Sequence, residues 1–425
     1  MASTLATNQD DQQAVRGKPK LGFLILLVLA VASANGAQLS NAILTLSLKS
    51  SVISSTAATT VLSIAVGVGS IVALVGYPLL GRLSDRTLSR HGRRKPYLLS
   101  GAVLFLVGAA ATTAASSVAA LAAGFSLTTL GAVCALVACT ALVPDQISPE
   151  FRGSASAMLG LGAPLGALVG LFLAQLVQPN LAAMLFLPAG VAALALLLLA
   201  LTISDRAIFR EERPPFSLAE FAGTFWVNPL RHQGFGWAWI SRLLIFFGVA
   251  AVNAYQAFYL IMVHHMDPAT VGTAILVASL ITTPISMIFA PLFGKLSDKT
   301  GRRKPFVLGS AVVFAVGLGL VAMATTYPMF LVAIAVVGLG QGVYFAVDYA
   351  LIMEVLPDQE NPAKDLGIMN LANSLPSSLV PAVAPMLLMI GASTANPQNF
   401  TALFLAGAAC AVIGALAILP IKGVK

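Results

Sequence analysis

Charge is scarce in this sequence: 9% of its 425 residues are Asp, Glu, Lys or Arg, where soluble domains carry about 25%. That shortage excludes an ordinary water-soluble globular protein. With 58% hydrophobic residues, a disordered or fibrous chain is excluded as well. Cysteine is nearly missing. Cys134, Cys139 and Cys410 all lie inside apolar runs, which argues against a disulfide framework. No G-x-x-x-x-G-K-[ST] loop occurs, so the chain does not hydrolyse ATP by that route. H-E-x-x-H, C-x-x-C and EF-hand patterns are absent too. The four histidines, His91, His232, His264 and His265, fall in loops or at a span end, and neither a metal nor a cofactor is expected.

Long apolar runs are what the sequence has in quantity, with a mean hydropathy of +0.90. A membrane helix needs about 20 mostly apolar residues. Runs broken by charge, Pro or Gly give twelve such spans, near 21–43, 57–80, 97–116, 118–143, 154–176, 181–203, 236–263, 271–293, 306–324, 328–355, 366–390 and 399–420. The expected fold class is therefore an all-α membrane protein with twelve transmembrane helices. The tightest connections are Ser116-Ser117 and Tyr327-Pro328.

A cytoplasmic N-terminus places 22 of the 24 basic residues on inner segments, the asymmetry that sets membrane orientation. These are Arg16, Lys18 and Lys20, the basic residues from Arg82 to Lys95, Arg152, those from Arg206 to Arg231, those from Lys295 to Lys304, and Lys364, Lys422 and Lys425. Lys49 alone faces outward, and Arg242 lies within a span. The net charge of +8 thus reads as a basic cytoplasmic face on a plasma-membrane protein, with both termini inside, and not as a nucleic-acid surface. Lys18, Lys20 and Ala32-Ser33-Ala34 also fit a cleavable signal peptide. The apolar run continues to Leu44, however, and its removal would put the basic loops on the wrong side.

The chain is written twice. Pro78-Leu79-Leu80-Gly81-Arg82-Leu83-Ser84-Asp85-Arg86 returns 213 positions later as Pro291-Leu292-Phe293-Gly294-Lys295-Leu296-Ser297-Asp298-Lys299. Gly92-Arg93-Arg94-Lys95-Pro96 returns as Gly301-Arg302-Arg303-Lys304-Pro305, and Pro144-Asp145-Gln146 as Pro357-Asp358-Gln359. Repetition on this scale marks a duplicated architecture. The expected organisation is a tail over 1–20, a six-helix bundle over 21–203, a linker over 204–235, a second bundle over 236–420 and a tail over 421–425. Ser217-x-x-Glu220 has capping-box spacing, which predicts a short interfacial helix in the linker. Trp226, Trp237 and Trp239 would then lie near headgroup depth.

Gly81-x-x-x-Asp85-Arg86 followed by Gly92-Arg93-Arg94-Lys95 resembles the signature loop of the major facilitator superfamily, and the second copy stands where that family carries one. The longer first copy is similar to the loop of sucrose and glycoside–pentoside–hexuronide:cation symporters. The resemblance implies two pseudo-symmetric bundles, a solute transporter working by alternating access, and a cavity lined by spans one, four, seven and ten. By the same arrangement Asp85 would face the start of span eleven near Leu366-Gly367, and Asp298 the start of span five near Gly153-Ser154. A carboxylate there meets a positive helix N-terminus. Gly81, Asp85, Arg86, Arg93, Arg94, Gly294, Asp298, Lys299, Arg302 and Arg303 are accordingly read as a gating motif, the alternative being an anchor for topology and anionic lipid.

Polar groups inside apolar spans must be paired or face water. Asn35, Gln38 and Asn41 in span one, and Asn253, Gln256 and Tyr259 in span seven, each keep a spacing of three that holds a trio on one face. Amides donate and accept at once, which suits a hydroxyl-rich solute; the bland reading is interhelical glue. Span ten adds Gln341, Tyr344 and Asp348, with Glu354 near its inner end, and span eleven adds Asn370 and Asn373. Asp348 and Arg242 are the ionisable residues clearly within spans, and they are placed to pair. Asp348, Arg242 and Glu354 are candidates for proton coupling or substrate contact, with a static salt bridge as the rival. Spans one and two carry no carboxylate, unlike many cation-coupled relatives, so sodium coupling is not expected. Gly160-Leu161-Gly162-Ala163-Pro164-Leu165-Gly166 resembles in part the Gly-Pro signature of drug:proton antiporters.

The expected function is secondary transport of a small organic solute by a monomer, first a proton-coupled sugar or glycoside symport and second a proton-driven efflux of drugs or metabolites. No enzymatic activity is expected. A non-transporting sensor on the same fold is the third class.

Overall fold

The computed structural model describes residues 21–90, 92–203, 205, 231–357, 363–392 and 398–421. All regular structure among them is helical. Twelve helical segments, α1 to α12, follow the twelve apolar runs. They are α1 Leu21–Ile53, α2 Ala58–Arg86, α3 Lys95–Ala114, α4 Val118–Gln146, α5 in two pieces (Pro149–Gly160 and Gly162–Leu176) and α6 Leu181–Thr202. The second set is α7 Gln233–Met262, α8 Val271–Thr300, α9 Lys304–Met323, α10 Tyr327–Val355, α11 Ala363–Met389 and α12 Phe400–Leu416. Eleven helices among the described residues are long and apolar enough to cross a membrane, and Phe400–Leu416 is a shorter apolar helix. Its 17 residues match the short end of the range for a crossing helix, about 17–25 residues.

Local chemistry sets the ends, and it too is duplicated. Ser117 accepts a hydrogen bond from the Ala120 N–H ahead of α4, and Thr326 accepts from the Met329 N–H ahead of its repeat partner α10. Asn180 caps α6 on the Ala183 N–H and Asn399 caps α12 on the Ala402 N–H. Both α3 and α9 open on Lys-Pro, where the missing proline N–H is an orphan donor anyway. These caps define the two tight connections that hydropathy alone left open.

Four helices depart from the expected form. Helix α1 runs ten residues past the expected end, through a π-turn at Asn41–Thr45 into Leu46–Ile53. Helices α2 and α8 carry their polar last turns, with Arg86 and Lys299, beyond the apolar run. Basic residues there suit the negative helix end. Helix α5 breaks at Leu161, because Pro164 has no N–H to give the Gly160 carbonyl. The linker helix, Ser217, Glu220 and Trp226 fall outside the described residues.

The chain divides into two compact units, one of residues 1–41 and 75–214 and one of 42–74 and 215–425. In the first, α3 packs on α4 and α6, and α1 on α5 and α6. In the second, α9 packs on α10 and α12, and α7 on α11 and α12, so the repeat extends to helix pairing. Leu27, Phe105, Leu142, Leu185 and Leu196 lie in the first core. Phe258, Phe314, Phe330 and Phe404 lie in the second. Residues 42–74, which the repeat groups with the N-terminal bundle, cluster with the second unit. Ser63 Oγ shares a 2.6 Å hydrogen bond with the Tyr255 hydroxyl, Ser70 Oγ donates to the Ser377 carbonyl at 3.0 Å, and Gln398 Nε2 donates to Thr59 Oγ1 at 2.8 Å.

Small residues let backbones touch where α1 meets α5. A Cβ at Gly170 would stand 2.1 Å from the Gly36 carbonyl oxygen, and one at Gly36 would stand 2.6 Å from that of Gly166. Without water to drive helices together in lipid, such close approach supplies the dispersion that holds them. Gly170→Val is expected to cost about 3 kcal/mol or more, at the high end for overpacking. A thermal melt in detergent that leaves this variant at the parent temperature would show that the two helices part without loss.

Candidate functional site

The charged pair chosen from sequence meets in the second unit. Arg242 on α7 donates from Nη1 to Oδ2 of Asp348 on α10 at 2.7 Å. The other carboxylate oxygen accepts from the Tyr344 hydroxyl at 3.0 Å, one turn earlier on the same helix. Arg242 Nε donates to Asn373 Oδ1 on α11, and Asn373 Nδ2 reaches Asn370 Oδ1 at 3.4 Å. Asp348 is 2% exposed and Arg242 9%. Each charge has its opposite and at least one further hydrogen bond, the condition under which ions survive desolvation. Three helices thus converge on one ion pair.

An aromatic surface stands beside it that the sequence reading did not single out. The Arg242 guanidinium carbon lies 5.6 Å from the Phe246 ring centroid. Phe246 in turn stacks on Phe345 of α10, with centroids 5.2 Å apart and planes 21° from parallel. Phe345 is nevertheless 38% exposed and Tyr349, one turn on, 55% exposed. The available signal was Phe345 and Tyr349 continuing the Gln341 face at intervals of four, a pattern indistinguishable in sequence from a lipid-facing stripe.

The other polar candidates separate. Gln38 Nε2 donates to Thr129 Oγ1 at 3.0 Å, joining α1 to α4, and Asn35 Nδ2 returns to its own helix at the Val31 carbonyl, 2.8 Å away. Asn41 opens the π-turn of α1, and its Oδ1 is buried with no hydrogen-bond partner among the described residues. Gln256 is buried, whereas Asn253 and Asn370 are exposed and Gln341 half-buried. Tyr259 is buried. Its hydroxyl donates to the Val321 and Ala324 carbonyls, and its ring is packed by His264, Phe330, Phe400 and Phe404. These contacts tie Tyr259 into the packing of the second unit. His264 itself has its pKa lowered, by burial first and then by the neighbouring His265.

Glu354 joins the second signature loop. It lies away from the Asp348 pair and accepts from Arg303 Nε at 3.2 Å, its side chain 44% exposed. Arg303 also holds Asp298 through Nη1 and Ser297 Oγ at 3.2 Å. The first copy repeats this arrangement. Arg94 reaches Ser84 Oγ at 2.6 Å, Asp85 at 2.7 Å and Asp145 at 2.8 Å. Arg93 adds a 2.5 Å bond to Asp145. Burial opposes the Arg94 charge, but the hydrogen bonds and fields of Asp145, then Asp85, outweigh it and raise its pKa. Asp205 closes the loop, accepting from the backbone N–H groups of Arg94 and Lys95 at 2.6 and 2.7 Å. Gly92, at φ +97°, leaves room for that carboxylate, which lies 2.2 Å from where a Cβ would stand.

Both motif aspartates are therefore held by an arginine of their own loop. The side chains at 153, 154, 366 and 367, the helix starts matched with Asp298 and Asp85, lie outside the described residues, as do His91, Asp358 and Lys364. Gly81 and Gly294 sit in the last turns of α2 and α8, and Arg302 is exposed.

The sequence profile of the Major Facilitator Superfamily matches residues 23–292 and 285–424. The uncharacterized MFS-type transporter YfiU of Bacillus subtilis (strain 168) is 34% identical over 101 residues, 24% of this chain and 19% of that protein. The multidrug resistance protein MdtL of Citrobacter koseri is 33% identical over 102 residues, 24% of each chain. The matched stretch thus spans a quarter or less of these curated relatives. Among solved structures, the nucleoside transporter NupG superposes with a TM-score of 0.73 at 15% identity, covering 93% of this chain and 99% of that one. A D-xylose-proton symporter superposes with a TM-score of 0.69 at 17% identity, covering 95% and 99%. With a family profile matched along nearly the whole chain and solved transporters superposing over 93–95% of it, this protein is an integral membrane protein that belongs to the Major Facilitator Superfamily.

Proposed function

We propose that the chain is a secondary transporter which couples the movement of a small hydroxyl-bearing solute, a sugar or glycoside, to protons. The observation that carries this reading is the Arg242–Asp348 pair, buried in the membrane-spanning part and braced by Tyr344 and Asn373. Ionisable residues at that depth are costly and mark ion or substrate pathways. The bracing suits a switch. When Asp348 takes a proton it ceases to be a counter-ion, while Arg242 keeps the Asn373 carbonyl. The pair can then trade its internal bond for one to a solute and re-form after release. Exposed amides at Asn253 and Asn370 can donate to and accept from hydroxyls together.

The remaining assignments follow from charge placement and resemblance. The site is exposed alternately to the two sides of the plasma membrane, the basic loops and both termini are cytoplasmic, and the protein works as a monomer with no cofactor. The loops around Asp85 and Asp298 act as inner latches, each helix-end contact worth about 0.3–2 kcal/mol, enough to bias an equilibrium and weak enough to release. Export of drugs or metabolites is the second reading, favoured by the match to MdtL.

Reconstituted vesicles decide between them. With an acid exterior, labelled glucosides are expected to accumulate inside, and a protonophore to abolish accumulation. Proton-driven movement of ethidium with no flux of any glucoside would establish export instead.

A further inference from the structure

The Phe246–Phe345 stack calls for an occupant. Aromatic rings normally bury their faces, yet Phe345 and Tyr349 leave 38% and 55% of their surface open, on the α10 face begun by Gln341. The ion pair beside this face argues against lipid as its occupant. Phe246 is seated against the Arg242 guanidinium at 5.6 Å, and charges at bilayer depth turn toward a bundle interior or a water-filled cavity. Phe345 lies three residues from Asp348, on the same side of the helix. The open rings therefore border the ion pair. Gln341 lies one turn before Phe345 on α10, Asn370 on α11 joins the ion pair through Asn373, and Asn253 lies two turns beyond Phe246 on α7; all three are exposed or half-buried.

We infer that this surface is a stacking platform, and that the solute is an aryl glycoside: a sugar whose hydroxyls meet the amides and whose flat aromatic aglycone lies on Phe345 and Phe246. A free hexose would leave the rings uncovered. A purely apolar drug would leave the amides without partners, and buried polar groups without partners are costly. Nucleosides, which join a sugar to a planar base, fall in the same chemical class. The inference rests on the transport reading above and adds three residues to it, Phe246, Phe345 and Tyr349, as specificity determinants.

The test is calorimetric titration of the purified full chain with phenyl β-D-glucopyranoside, methyl β-D-glucopyranoside and uridine. The phenyl glucoside is expected to bind about ten-fold more tightly than the methyl glucoside, the scale of one aromatic contact with its buried area, and uridine to compete with it. Phe345→Ala is expected to erase the difference and Phe345→Tyr to keep it. If Phe345→Ala melts below the parent protein, Phe345→Leu, which keeps the bulk without the π face, takes its place. Equal affinities, a preference that survives both truncating changes, or no binding of any of the three would overturn the platform. Tight binding of the phenyl glucoside with uptake indifferent to a pH gradient would overturn the proton coupling alone.

Discussion

Asp348→Asn protein in vesicles is expected to let solute equilibrate and no longer accumulate, with inside and outside concentrations becoming equal whatever pH gradient is imposed. The reason is specific to the geometry. An Asn side chain has nearly the same shape, and its Oδ1 still accepts from Tyr344 or from Arg242, so the hydrogen-bonded frame survives. What disappears is the carboxylate between the Arg242 guanidinium and the Tyr344 hydroxyl, the group to which the proposed function gives the proton. Removing the other partner has a different signature. Arg242→Ala leaves the carboxylate, 2% exposed, without a counter-ion, and breaking a buried pair in this way costs about 3–5 kcal/mol. Its effect should therefore appear first as loss of folded protein. Combining Asp348→Asn with Arg242→Gln removes both charges, and is expected to recover melting temperature without recovering accumulation. That dissociation of stability from coupling distinguishes a proton carrier from a static salt bridge. A Asp348→Asn variant that still concentrates solute under a pH gradient would leave the pair structural.

Much of this was legible from residues alone, and the limits have physical causes. Hydropathy located every long apolar helix among the described residues because lipid enforces apolar runs. It misjudged ends where a helix continues past the apolar run, as α2 does through Asp85, or through a π-turn into a segment buried by protein, as α1 does beyond Asn41. Burial by neighbouring helices rather than by lipid has no one-dimensional signature. For the same reason Tyr259 reads as a cavity residue in sequence, although two carbonyls of the α9–α10 connection take up its hydroxyl. Glu354 shows the converse. Its position near the end of α10 is compatible with either Asp348 or Arg303 as neighbour, and only the fold of the 301–304 turn decides for Arg303. The Arg242–Asp348 pair was foreseeable because two lone opposite charges in apolar spans have few alternatives. Phe246 and Phe345 were not, since exposed aromatics look the same whether they face lipid or a solute.

Disrupting the two signature loops is expected to have unequal consequences despite their shared sequence. In the first, Arg94 has a side chain only 4% exposed and bridges Asp85 and Asp145, while Asp145 also takes Arg93. Asp145→Ala strips a largely enclosed guanidinium of its better partner and leaves Arg93 without one of its acceptors. The expected cost is about 3 kcal/mol, the lower end for a broken buried pair because Asp145 retains 19% exposure. In the second loop the acids that Arg303 holds, Asp298 and Glu354, are 64% and 44% exposed, while Asp358, the repeat equivalent of Asp145, lies outside the described residues. Water replaces their contacts cheaply, and Glu354→Ala is expected to cost no more than about 1 kcal/mol. Thermal unfolding of the two variants in detergent measures the difference, and added salt should narrow it little, since screening acts mainly on exposed pairs. Such an asymmetry would make the Arg94 network, which ties α2, α3 and α4, the firmer of the two proposed latches and the Arg303 network the one that opens more readily. Equal destabilisation by the two alanine changes would remove that distinction and make both loops braces.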